Sequence, residues 1–253
     1  MHEAPQAPQL PALRPPDQPT LPTSTPEIND LFRFMAEAEL RFESLRMRIV
    51  DQKMTTHGEE TEAHEVWLRH PGSAKVISTR GAPLDRDFDV WLSDGETVRT
   101  YDARSNLATT RRVPARPVGA ADPDLPAYSK IYLPVTTLPA ETLADTFVHP
   151  HGYCRNVLST GAVTLLGTQL LAGGREALLL RCDHPRTSHV LTDRPDHWLE
   201  IGVDLQTGII VLLAEHVGDQ LTRHAAVTVL AIDEPIPDDV FHLYLSSDTR
   251  TLY

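Results

Sequence analysis

The sequence predicts an α+β protein: a long antiparallel sheet whose apolar face is covered by one long N-terminal amphipathic helix and by short helices in mid-chain. Three observations predict it. An apolar stripe recurs at steps of three and four over residues 28–45. Period-two alternation follows it without a break. Nearly every later turn signal then joins two strands at hairpin spacing. A sheet of that length must close, stack or be covered to hide its apolar side.

Residues 1–25 hold seven of the 21 prolines and no apolar periodicity, so they read as an extended or disordered tail. Residues 26–253 read as one domain. Thr25, Pro26 and Glu27 supply an N-cap, a proline at the first helical position and an early acid. Ile28, Leu31, Met35, Ala38, Phe42 and Leu45 then form the stripe, with Phe32 widening it. At Ser44 the period becomes two, Leu45, Met47 and Ile49 alternating with Arg46 and Arg48. HPGSA separates AHEVWLRH from AKVISTR, SDGE joins DFDVWL to TVRTYD, and DARSN precedes LATTRRV. After the loop PARPVGAADPDLP come two short helices, PAETLADTF and GYCRNVLSTG. Strands resume with VTLLGTQLL, EALLLRCD and the pair within HWLEIGVDLQTGIIVLLAEH, then HAAVTVLAID, before the closing EPIPDDVFHLYL. In that pair Leu199, Ile201 and Val203 share a face, Ile210 and Leu212 share one beyond the turn, and Asp204 to Gly208 has turn chemistry.

The net charge of -12, from 35 acidic and 23 basic residues, leaves no basic footprint for nucleic acid and disfavours anionic membrane surfaces. No apolar run is long enough to span a bilayer, and MHEAPQAPQLPALRPPDQP has neither a basic start nor an apolar h-region. With Met1 as the start, a soluble cytoplasmic chain is expected. Cys154 and Cys182 allow one bridge or two buried thiols. His149, His151 and Cys154, with Cys182 and His184, offer zinc-type ligands, but their spacing matches no closed pattern, and neither metal nor cofactor is expected. No nucleophile elbow, phosphate loop or dinucleotide fingerprint occurs, so no catalytic residue is expected either. Trp67 and Trp91 oppose the apolar parity of their strands. With Trp198 they suit cross-strand packing or a partner-contact surface on the outer face.

Several segments in this order resemble the LolA/LolB-like superfamily, which includes the lipoprotein carrier LolA and the sigma-E regulatory protein RseB. They are WLRHPGSAKV, DVWLSDGETVRTYDARSN, GREALLLR, VDLQTGIIVLLAEH and IPDDVFHL, over nearly all of residues 27–243. The resemblance implies an incomplete β-barrel, a curved sheet wrapped around a helix with small lid helices over an apolar cavity. It also implies relatives that work in the cell envelope, outside the cytoplasm. The expected function is non-enzymatic binding, by a monomer, of a lipid acyl chain, another apolar ligand or a lipid-modified polypeptide in a cavity between sheet and helix. The expected lining is Phe32, Met35, Phe42, Met47, Leu68, Val90, Leu92, Leu180, Ile201 and Leu212. The alternative is a regulatory module of the RseB type, its cavity collapsed and its surface binding another protein.

Overall fold

The computed structural model describes residues 26–81, 87–113, 134–171, 174–186 and 195–252. The proline-rich tail, the expected N-cap Thr25 and the loop PARPVGAADPDLP lie outside the described residues. Among the described residues twelve strands form one sheet. They are β1 (Ser44–Thr55), β2 (Gly58–Arg69), β3 (Ser73–Arg80), β4 (Phe88–Asp94), β5 (Thr97–Asp102), β6 (Leu107–Arg112), β7 (Ala162–Leu170), β8 (Glu176–Asp183), β9 (His197–Asp204), β10 (Ile210–Val217), β11 (Gln220–Ile232) and β12 (Arg250–Leu252). The order is β12-β6-β5-β4-β3-β2-β1-β11-β10-β9-β8-β7, antiparallel throughout except for the short parallel β12–β6 pair. β12 and β7 are the two edges, so the sheet curves without closing.

Three short helices among the described residues cover part of the inner face: α1 (Ile28–Ala36), α2 (Leu143–Val148) and α3 (His151–Asn156). The single long N-terminal helix expected from the stripe is instead nine residues, followed by a 3-10 turn at Ala38–Arg41. Its N-cap is Glu27, two residues beyond the expected one. The cause lies at Arg41, whose guanidinium donates to Phe34 O at 2.7 Å. A continuing helix would offer that carbonyl to the fourth amide along. Once the helix stops, a different face is buried. Leu31, Phe34 and Met35 are covered, whereas Ile28 and Phe32 are only half-buried.

The core lies between these helices and the inner face of the central and β8–β10 strands. Leu31, Phe42, Met47, Leu68, Phe147, Leu158, Leu180 and Ile201 are almost wholly buried there. Strand register corrects two expectations about facing. Val76 stands opposite Trp91, which therefore faces inward, while Val90 stands opposite Ile77 and Leu92 opposite Lys75 on the outer side. That outer side is itself covered, since Lys75 Nζ donates to Val240 O at 2.9 Å and to His242 O at 3.2 Å. Arg69 also lies over the Phe241 ring at 4.9 Å. With both faces of β4 sheltered, alternation no longer marks the core side.

Leu212 is the second correction. Ile210 pairs with Val203 but Leu212 pairs with Gly202, a bulge that flips the parity between them. Leu213, opposite Ile201, takes the inward place, and Leu212 packs outward against Gly202.

The Asp204–Gly208 turn ties this hairpin to α1. Asp204 Oδ1 accepts from the Thr207 amide and hydroxyl, both at 2.8 Å, while Arg175 grips the carboxylate at 2.6 and 2.8 Å. Arg41 Nη1 reaches Thr207 O at 3.3 Å. Gly208 has φ +83°, and a Cβ there would sit 2.8 Å from Phe34 O. Gly208→Ala is therefore expected to lose about 2–3 kcal/mol of stability, combining backbone strain with a steric shift of α1. Urea unfolding checks this, and an unchanged midpoint would contradict the close approach.

Candidate functional site

The helices fill only one end of the inner face, and the sequence records where their cover stops. Along β1 the inward positions run Leu45, Met47, Ile49, then Asp51; along β2 they run Leu68, Val66, then His64 and Glu62. Beyond that switch lies a groove of about 760 Å³. Val76, Trp91 and Leu143 give it apolar surface, and six carboxylates (Asp51, Glu62, Asp89, Asp102, Glu141 and Glu215) outnumber Lys53, Arg80 and Arg223 along its walls.

Ion pairs organise the walls. Arg223 Nε and Nη2 hold the two oxygens of Asp51 at 2.9 Å each, and Nη1 reaches Glu215 at 3.2 Å. Lys53 Nζ lies 2.9 Å from Asp51 Oδ2 and 3.9 Å from Glu62 Oε2. Arg80 contacts Asp89 at 2.6 Å and Glu62 at 3.4 Å. Burial by itself would raise the Asp51 pKa, but Arg223 and then Lys53 hold it below the usual carboxylate value. Burial lowers the His64 pKa against the pull of Glu62 and Asp51. His64 Nδ1 meets Ser78 Oγ at 2.9 Å, and its Nε2 is buried without a hydrogen-bond partner.

The ten expected lining residues are divided among three places. Met35, Phe42, Met47, Leu68, Leu180 and Ile201 sit in the helix–sheet core, none more than 2% exposed, with Phe32 packed at its margin. Leu92 and Leu212 are buried on the outer face. Val90 shares their side of the register, and it is alone among the ten in also touching the groove. The groove's charged residues were missed by sequence reasoning because it looked for apolar lining. The signal was present as the change from apolar to charged at constant strand parity.

Other sequence candidates settle as structural contacts. Cys154 and Cys182 are free buried thiols, and burial pushes their pKa values up to about 12 and about 11. Cys154 lies against Met35 Sδ at 3.7 Å and Cys182 against Leu158 O at 3.6 Å. His149 is buried between Asp145 at 2.9 Å and Glu39 at 3.5 Å. Glu39 in turn accepts from the Val135 amide at 2.8 Å, and its burial raises its pKa against the opposing charge of His149. Among the described residues, only Asp51, Glu62 and His64 bring three ligand atoms of the metal-binding types within 4.8 Å of one another. The histidine–cysteine set that the sequence offered, and that was not expected to hold a metal, does not converge among the described residues. Trp67, opposite Arg46 and Lys75, does face outward, as does Trp198, stacked on His216 at 3.7 Å with Arg181 at 4.1 Å from its ring.

No family model matches the chain, and no curated protein matches it by sequence. Solved structures do match. MucB is 18% identical with a TM-score of 0.50, covering 86% of this chain and 62% of that one. MucB in complex with MucA(peri) gives 15% identity and a TM-score of 0.48, covering 90% and 62%. The chain has a LolA/LolB-like fold. LolA superfamily protein NE2245 from Nitrosomonas europaea is more distant, 8% identical with a TM-score of 0.32, covering 87% of this chain and 99% of that one. The chain thus spans about three-fifths of the MucB chain it matches. Among the described residues no helix is long and apolar enough to cross a membrane.

Proposed function

We propose that residues 26–253 act as a non-enzymatic binding module of the RseB type, which holds a polypeptide segment bearing basic and apolar side chains. The groove carries this reading. It offers about 760 Å³, within the range of ordinary ligand sites, with an apolar floor and walls in which carboxylates predominate. The seam between α1 and the sheet, by contrast, is filled by Met35, Phe42, Met47 and Leu68. An apolar side chain on Trp91 and Val76 would gain roughly 25 cal/mol per Å² buried, and a Lys or Arg beside it would meet the acidic rim.

A second reading keeps the carrier role, with an acyl chain entering between α1 and the sheet. The adaptable side chains Met35 and Met47 in that seam favour it. It requires α1 to lift, exposing what is now core.

One experiment separates the two. Freshly purified protein is examined by native mass spectrometry, by uptake of a fluorescent fatty acid, and by fluorescence polarisation with ten-residue peptides alternating Arg and Leu or Glu and Leu. The module reading expects a lipid-free mass, no fatty-acid uptake, and Arg-Leu peptide binding that weakens at least tenfold in Asp89→Lys. Co-purified lipid with no peptide preference would overturn it in favour of the carrier.

A further inference from the structure

We propose that Asp51, Glu62 and His64 form a binding site for a divalent transition-metal ion of the zinc class, in the wall of the groove. The ligand types are right: two carboxylates and an imidazole suit zinc, whose four-coordinate shell then keeps one position for water. Geometry brings them together, since β1 and β2 pair Asp51 with Glu62 directly across the ladder and His64 follows two residues along on the same face. Their ligand atoms already lie within 4.8 Å of one another, so modest rotamer changes would bring them around an ion at roughly 2.0–2.2 Å.

The second, independent observation is the imidazole. His64 is 7% exposed, and its Nε2 is buried with no hydrogen-bond partner. That nitrogen points at the carboxylates, 3.9 Å from Glu62 Oε2. A buried nitrogen left unpaired is costly. The other ring nitrogen rests against Ser78 Oγ at 2.9 Å. With the proton on Nδ1 and shared with Ser78, Nε2 presents its lone pair to the carboxylates. This is the arrangement by which an outer hydrogen bond orients a metal-bound histidine.

Lys53 offers the two carboxylates a competing cation. Its ammonium lies 2.9 Å from Asp51 and 3.9 Å from Glu62, bridging the two carboxylates as a tethered cation. Its side chain is 38% exposed and lies at the groove, so it can turn outward to water when a divalent ion enters. Arg223 stays on Asp51 and keeps that carboxylate aimed. The site is therefore an exchange of one cation for another, and it stands whatever the groove binds as its main partner.

The test is zinc titration of the full chain, purified without a histidine tag and stripped with chelator, using a chromophoric competitor. Wild type is expected to bind one ion. Glu62→Gln should weaken that binding at least tenfold, and Lys53→Met should strengthen it severalfold by removing the tethered competitor. Circular dichroism establishes that each variant is folded, and Glu62→Gln with Lys53→Met keeps the test decisive if His64→Ala does not fold. An absence of stoichiometric zinc in wild type, or binding that both variants leave unchanged, would overturn the site and assign any zinc to other histidines. Neither outcome bears on peptide or lipid uptake.

Discussion

Phe42→Ala is expected to cost about 3–5 kcal/mol, the range for losing a large buried aromatic ring. Phe42 is 2% exposed at the junction where the 3-10 turn enters β1, so its neighbours are held by the backbone and cannot collapse into the space. Its ring stacks on His70 at 5.3 Å with an interplanar angle of 21°. Burial first, and then the neighbouring His149, lowers the His70 pKa to about 4 from an ordinary value of 6.5. A histidine depressed in this way is neutral in the folded state. Its contribution to stability is complete above pH 6.5 and is lost as pH falls from there towards 4, on the order of 3 kcal/mol in all. Removing Phe42 admits water to the imidazole and brings its pKa back towards 6.5. The variant should therefore be much weaker than wild type at pH 7 but lose less further stability down to pH 4.5. Urea midpoints at the two pH values test both halves, and equal acid losses in the two proteins would show that the ring does not shelter His70.

The sheet was legible in the sequence because hairpin turns such as SDGE and DLQTG carry their own chemistry and the strands between them alternate cleanly. The short β12 was not legible, since its three exposed residues have no apolar parity to show. Helix length was misread for a different reason. The stripe from Ile28 to Leu45 has the right spacing, but Arg41, separated from Phe34 by two turns of ideal helix, folds back to cap it. No local pattern announces such a bond. Facing errors arose where period-two logic loses its premise. At Leu212 a bulge intervenes, and at Val90 and Leu92 a C-terminal segment shelters the side that would otherwise be wet. The candidate site was hidden by the search for oil. Its residues keep the inward parity of β1 and β2 while changing from apolar to charged, a pattern that reads on paper as a strand end facing solvent.

Arg223→Met is expected to cost about 3–4 kcal/mol, because it leaves a carboxylate in the sheet without its main partner. The Asp51 side chain is 0% exposed, and Arg223 supplies both hydrogen bonds of a two-point clasp between β1 and β11. Lys53 remains on Oδ2 but is a single contact from a partly exposed chain, and Glu215 loses its partner as well. The double variant Asp51→Asn with Arg223→Met should be more stable than Arg223→Met alone, since the neutral amide removes the stranded charge. The pH dependence should also invert. In wild type the depressed Asp51 pKa contributes stability above the ordinary carboxylate value and loses it in acid. Without Arg223, burial dominates and raises that pKa, so the penalty is largest at neutral pH and shrinks as Asp51 takes up a proton on acidification. Additive losses in the double variant, with the same cost at pH 7 and pH 5, would mean that the clasp contributes packing alone. The groove wall would then owe its shape to the strands rather than to its charges.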